Sequence, residues 1–161
     1  IFFLEASWIG FIIGIIVSGF IMGNIISSKF SKRVTEFAWL ATGYFFLIFS
    51  ITLSLLLYKT MQTFPLVLFF PFFFIGIGNG FIWPISIAGA VTINQHLRGS
   101  ASGLHGASMY MIGAIFSSIL AIWISQSNGI WPIYFVLTVS TVLGILVISR
   151  FNLEKKRYQA I

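Results

Sequence analysis

The sequence predicts an all-α polytopic membrane protein with five transmembrane helices, part of a larger helical bundle. Three observations predict it. Apolar stretches cover about residues 7–27, 37–58, 66–93, 101–124 and 131–149, and each reaches the roughly 20 residues that cross a hydrocarbon core of about 30 Å. Hydrophobic residues make up 58% of the 161-residue chain and charged residues 7%, too little polar cover for a soluble fold of this size. Finally, the basic residues fall on alternate connections. Lys29, Lys32 and Arg33 follow the first stretch, Arg98 follows the third, and Arg150, Lys155, Lys156 and Arg157 follow the fifth, whereas only Lys59 follows the second. Helices in lipid alternate direction, so this asymmetry puts the loops at 28–36 and 94–100 and the C-terminus in the cytoplasm.

The first stretch carries Gly10, Gly14 and Ser18 at four-residue steps, then Gly19 and Gly23. Small residues let helix backbones approach closely in lipid, where no hydrophobic force drives helices together. Trp8 and Trp131 stand at outer helix ends and read as interfacial anchors. The stretch does not read as a signal peptide, because no basic region precedes it and no small-residue cleavage site follows. Residue 1 is Ile, and an external N-terminus beside Glu5 suggests a piece of a longer protein with at least one helix upstream. The second stretch is mostly Phe, Leu and Ile and is expected to face lipid.

The third stretch holds Gly76, Gly78, Asn79, Gly80, Trp83, Pro84 and Ser86. Asn79, Trp83 and Ser86 are spaced i, i+4, i+7 and share one helical face. An amide at this depth is costly without a partner. Gly76, Gly80 and Pro84 make a helix hinge, since Pro84 removes one backbone hydrogen bond. The face reads either as a packing seam around Asn79 or as the polar, aromatic wall of a substrate cavity.

The fourth stretch is richest in small residues: Ser102, Gly106, Gly113 and Ser117 lie within about 60° of one another at 100° per residue. They are expected to pack between domains, along with Gly10, Gly14 and Ser18. His105, one turn into this stretch, is a candidate proton relay, but a neutral imidazole bonded to a backbone carbonyl is the preferred reading. The fifth stretch is poorer in small residues, with Ser140, Gly144 and Ser149, and is expected at the periphery. A leucine at Gly144 should therefore be milder than one at Gly106 or Gly113.

Several classes are disfavoured. Two His at a nine-residue spacing and no Cys make no metal site. Residues 76–80 are not a phosphate loop, because no Lys-Ser/Thr follows. No basic face with readable geometry supports nucleic-acid binding. No acid–base pair inside the spans supports an enzyme. A channel needs a repeated polar ring, and one polar face is present.

Residues 76–80 with Pro84, and the segment Arg98-Gly-Ser-Ala-Ser-Gly-Leu-His105-Gly106, resemble the tenth and eleventh helices of major facilitator superfamily transporters. The closest resemblance is to Bcr/CflA-type drug-resistance transporters. Ser7-Trp8-Ile9-Gly10-Phe11 is similar to the start of their eighth helix, and Gly23-Asn24 with residues 29–33 to its end and the following cytoplasmic loop. That loop here lacks the Asp of the stronger family signature. The resemblance covers helices eight to twelve of twelve. It implies alternating access between two six-helix halves in a bacterial inner membrane, with no cofactor. It also implies proton-coupled efflux of drugs or small amphipathic compounds, or else carriage of a metabolite such as a sugar or carboxylate. The partners implied are the lipid bilayer, the missing N-terminal helices, a small-molecule substrate and protons. Glu5, Glu36 and Glu154 all lie outside the spans, so a carboxylate proton carrier is expected in the missing part.

Overall fold

The computed structural model describes residues 6–60, 69–92, 95–126 and 131–159. Among them are five long helices and no strand. They are α1 (Ala6–Phe30), α2 (Glu36–Thr60), α3 (Phe72–Thr92), α4 (Arg98–Gln126) and α5 (Trp131–Gln159), with one 3-10 turn at Gln95–Leu97. Each is long and apolar enough to span a bilayer.

Local chemistry sets the helix ends. The Ala38 amide donates to Thr35 Oγ1 at 3.3 Å, so Thr35 caps α2, and Glu36 occupies the first turn where the helix dipole favours an anion. Pro132 sits in the first turn of α5, where its missing N–H costs nothing. The third span was expected from residue 66, but α3 begins at Phe72, directly after Pro71. The reason is chemical: Pro71 has no N–H to continue a ladder. The Phe73 and Phe74 amides instead donate to the carbonyls of Phe70 and Pro71 at 3.1 and 2.9 Å. Residues 66–68 lie outside the described residues.

The core sits around α3, with α1 on one side and α2 on the other. Gly76 and Gly80 of α3 face Gly19 and Gly23 of α1. A Cβ at Gly76 would collide with the Ile16 carbonyl, and one at Gly19 with the Phe73 carbonyl. At Gly23 and Gly80 the obstructing carbonyls, of Ile77 and Phe20, would lie at 2.5 Å. On the opposite side Gly78 meets Gly43, whose carbonyl would stand 2.6 Å from a Cβ. Rings fill the rest of the α2–α3 seam. Trp39 lies 5.0 Å from Phe81, Phe46 lies 5.7 Å from Phe81, and Phe49 lies edge-on to Phe74 at 5.1 Å.

Buried hydroxyls tie α2 to its neighbours. Ser50 donates to the Pro71 carbonyl at 2.5 Å, and Ser54 shares a 2.5 Å hydrogen bond with the Tyr134 hydroxyl of α5. Both serines are fully buried. Ten residues along each helix from that bond, the Tyr44 hydroxyl lies over Gly144 of α5, in the space a Cβ would need.

This arrangement corrects the expected ranking of helices. The second helix is in the core of this unit and the fourth is not: α4 has no buried residue among those described. Gly106 and Gly113 have open space where a Cβ would go, whereas Gly144 is in contact. Gly10 and Gly14 are open too, and Ser18 is exposed with its hydroxyl on the Ile15 carbonyl of its own helix. At 100° per residue the Gly10–Gly14–Ser18 stripe lies on the side of α1 away from Gly19 and Gly23. Composition counts small residues, but the glycines that mesh here are those aligned with glycines on a neighbour.

Enlarging the meshed glycines should therefore destabilise most. Gly76→Ala or Gly19→Ala is expected to cost about 1–3 kcal/mol, the usual range for overpacking, in denaturant-induced unfolding followed by helicity. Gly89→Ala and Gly103→Ala, where a Cβ meets open space, should be nearly neutral in the same measurement. Equal losses at all four sites would contradict the α1–α3 seam.

Candidate functional site

Two faces of α3 are taken by its packing partners. Phe73, Gly76, Ile77 and Gly80 turn toward α1, and Phe74, Gly78, Phe81 and Ile82 turn toward α2. Asn79, Trp83 and Ser86 occupy the third face. Asn79 is exposed, and Trp83 and Ser86 are half-buried. Its amide makes no hydrogen bond among the described residues. The Ser86 hydroxyl donates to the Ile82 carbonyl of its own helix at 3.1 Å, so it is already engaged. Trp83 bridges two helices: its ring meets Phe20 of α1 edge-on at 6.0 Å and His105 of α4 at 6.2 Å.

His105 departs from the preferred reading. Its Nε2 is shut away from solvent without a hydrogen-bond partner, and the ring lies beside Trp83 instead of on a backbone carbonyl. The face thus combines an open amide, an indole and an imidazole from two helices. The sequence separated these by placing His105 near the end of another span. A one-dimensional pattern gives no signal for that pairing, since it depends on how α4 meets α3 through the connection at 93–97.

Pro84 has a counterpart on α1. Helix α3 continues through Pro84 to Thr92. Pro84 has no N–H for the carbonyl four residues earlier, which belongs to Gly80. That carbonyl accepts a long hydrogen bond from the Ser27 hydroxyl of α1 at 3.5 Å, and Ser27 also bonds the Asn24 carbonyl at 3.1 Å. Ser27 is buried. In lipid, a carbonyl freed by proline needs such a donor from a neighbour. The Asn24 amide in turn donates to the Phe20 carbonyl at 2.9 Å.

Lys29, Lys32, Arg33 and Arg98 lie at one end of the bundle, and Lys59 stands near the end of α2 at the other. Lys29 closes α1 with its ammonium 5.9 Å from the Phe30 ring, and Lys32 and Arg33 are exposed in the short connection to α2. Arg98 is exposed at the start of α4, which begins earlier than its apolar stretch. The described residues contain no group of three His, Cys, Asp or Glu side chains that could hold a metal. The side chain of Trp8 lies outside the described residues, and Trp131 is exposed at the head of α5.

Long apolar helices meshed through glycine, with hydroxyls bonded across seams, define an integral membrane protein of the helical-bundle class. The sequence profile of the Major Facilitator Superfamily matches residues 3–160, nearly the whole chain. The chain belongs to that superfamily, whose members are membrane transporters. No curated protein and no solved structure matches it.

The Pro84–Ser27 pairing can be tested by a double-mutant cycle. Ser27→Ala should cost about 0.5–2 kcal/mol while Pro84 is present. In a Pro84→Ala background, where the backbone N–H at 84 is restored, the same change should cost measurably less. Identical costs in both backgrounds would mean that Ser27 does not compensate for the proline.

Proposed function

We propose that the complete carrier works by alternating access and exports drugs or small amphipathic compounds in exchange for protons, as the resemblance to Bcr/CflA-type transporters implies. The third face of α3 is its substrate wall. One observation carries this: in an otherwise apolar helix, the side turned from both packing partners bears an exposed amide and, one turn on, the Trp83 ring. Both are suited to a flat, partly cationic ligand, the amide by hydrogen bonding and the indole by cation–π contact. Gly76, Gly80 and Pro84 let the wall bend.

The open small residues fit the same picture. Gly10, Gly14, Gly106 and Gly113 have no neighbour within 4 Å of a built Cβ. With Ser18, Ser102 and Ser117, these positions would pack against helices that this chain does not contain. His105, beside Trp83 and with Nε2 unsatisfied, is the group in this chain that supports a part in proton coupling. The cytoplasmic side is the one bearing Lys29, Lys32, Arg33 and Arg98, and the membrane is a bacterial inner membrane.

In the full-length carrier, Trp83→Ala should weaken affinity for aromatic cations about 2- to 30-fold, the range of a desolvated cation–π contact. Asn79→Leu keeps volume but removes the amide, and should change substrate preference more than protein abundance. The measurement is equilibrium binding and proton-driven export by proteins at matched abundance. Parent-like binding and export by both variants would place the cavity elsewhere. Substrate accumulation against its gradient, lost when the proton gradient is collapsed, distinguishes this reading from a channel.

Orientation is testable because the chain has no native cysteine. Cysteines at Ser31 or Gln159 should be shielded from an impermeant thiol reagent in intact cells, and cysteines at Thr60 or Ser127 should react. The opposite labelling pattern would invert the topology.

A further inference from the structure

A second concavity lies away from the third face of α3, on the outer side of the α2–α5 seam. Beyond the Tyr44–Gly144 contact a cleft of about 280 Å³ opens between the two helices. Phe37, Ala41, Phe45 and Ile48 line it from α2, and Ile145 and Ile148 from α5. The α2 residues follow one stripe at steps of three or four, so the cleft runs along the helix. From Phe37 to Ile48 that stripe rises about 16 Å, close to one leaflet of a hydrocarbon core about 30 Å thick.

The two ends of the cleft differ. Tyr44 forms part of its wall where the hydroxyl crosses to Gly144, and its inner end is at Ile48, one turn further along α2. Its outer end is at Phe37 and Ser149. Arg150 follows Ser149 and is exposed, and Lys32 and Arg33 are exposed within five residues of Phe37. Further along the same helix the sequence continues with Lys155, Lys156 and Arg157. Glu36 and Glu154 are the only acids nearby in sequence, so the mouth is net basic. An apolar slot one leaflet long with a basic mouth matches a lipid whose tail is apolar and whose headgroup is anionic.

We propose that this cleft is a binding site for an anionic phospholipid, with one acyl chain lying along α2 between Phe37 and Ile48 and the phosphate held at the basic mouth beside Arg150. This site is independent of the substrate face, since it uses the opposite side of α2 and none of Asn79, Trp83 or His105. The bound tail fills the gap between α2 and α5 on the side where no described side chain does.

The test uses the full-length carrier, delipidated in mild detergent and titrated separately with phosphatidylglycerol and phosphatidylcholine, with retained lipid counted by native mass spectrometry. The parent should retain phosphatidylglycerol in preference to phosphatidylcholine, and Arg150→Gln should lower that preference about fivefold, the weight of one basic residue at an anionic surface. The preference should also shrink as salt is raised. Ala41→Trp fills the slot and should abolish retention of both lipids, while Val147→Trp, at an exposed position outside the cleft, should not. Parent-like retention by Ala41→Trp, or equal retention of the two lipids by the parent, would overturn the proposal. Arg150 is exposed, so its variant decides the headgroup question even if Ala41→Trp does not fold.

Discussion

The approach of the α3 backbone to two neighbours at once is the constraint from which the rest of this structure follows. Gly76 and Gly80 admit α1 on one side, and Gly78 admits α2 on the other. A helix in lipid gains little from burying apolar side chains, because the acyl chains it leaves are equally apolar. Close backbone contact and dispersion must then supply the association. The glycines of α3 work because Gly19 and Gly23 on α1 and Gly43 on α2 meet them at the same height. Around these crossings the phenyl rings of α2 and α3 fill the space the glycines leave. With two sides of α3 consumed in this way, its remaining side is the only one from which Asn79 and Trp83 can project.

Polar groups inside the bundle follow a second rule, that each backbone group needs a partner where water is absent. Pro84 interrupts the ladder of α3 and releases the Gly80 carbonyl, which Ser27 of α1 reaches. At the head of α3 the Pro71 carbonyl accepts from the Phe74 amide and takes a second hydrogen bond from Ser50 of α2. These bonds make the irregular ends and middle of α3 compatible with a dry surrounding. They also tie the Pro84 turn of α3 to α1 through the seam that contains Ser27. His105 and the Trp39 indole do not follow this rule, as each keeps a buried nitrogen without a partner. His105 does so beside the face assigned to substrate, whereas Trp39 lies in the aromatic core against Phe81.

Five spans, their order and the separation of the basic connections were legible in the sequence, because hydropathy and charge are summed locally along the chain. The shared face of Asn79, Trp83 and Ser86 was equally legible, since it needs only the helical period. What failed was the expectation that the second helix faces lipid. The α4 stripe of Ser102, Gly106, Gly113 and Ser117 is the densest in the chain, yet α4 has no buried residue among those described. The aromatic α2, expected to face lipid, instead packs Trp39, Phe46 and Phe49 against α3. A count of glycines cannot distinguish a seam used within this unit from one turned outward.

By itself, the sequence determined the class of the protein and the helical face on which its candidate site lies, because both depend on interactions between residues within a turn or two of each other. Tertiary structure alone decided which helices touch, which glycines are indispensable, and that His105 stands beside Trp83. Those outcomes depend on the register between helices far apart in the chain. In lipid, that register is set by the fit of specific backbones and hydroxyls rather than by a hydrophobic pattern that could be read in one dimension.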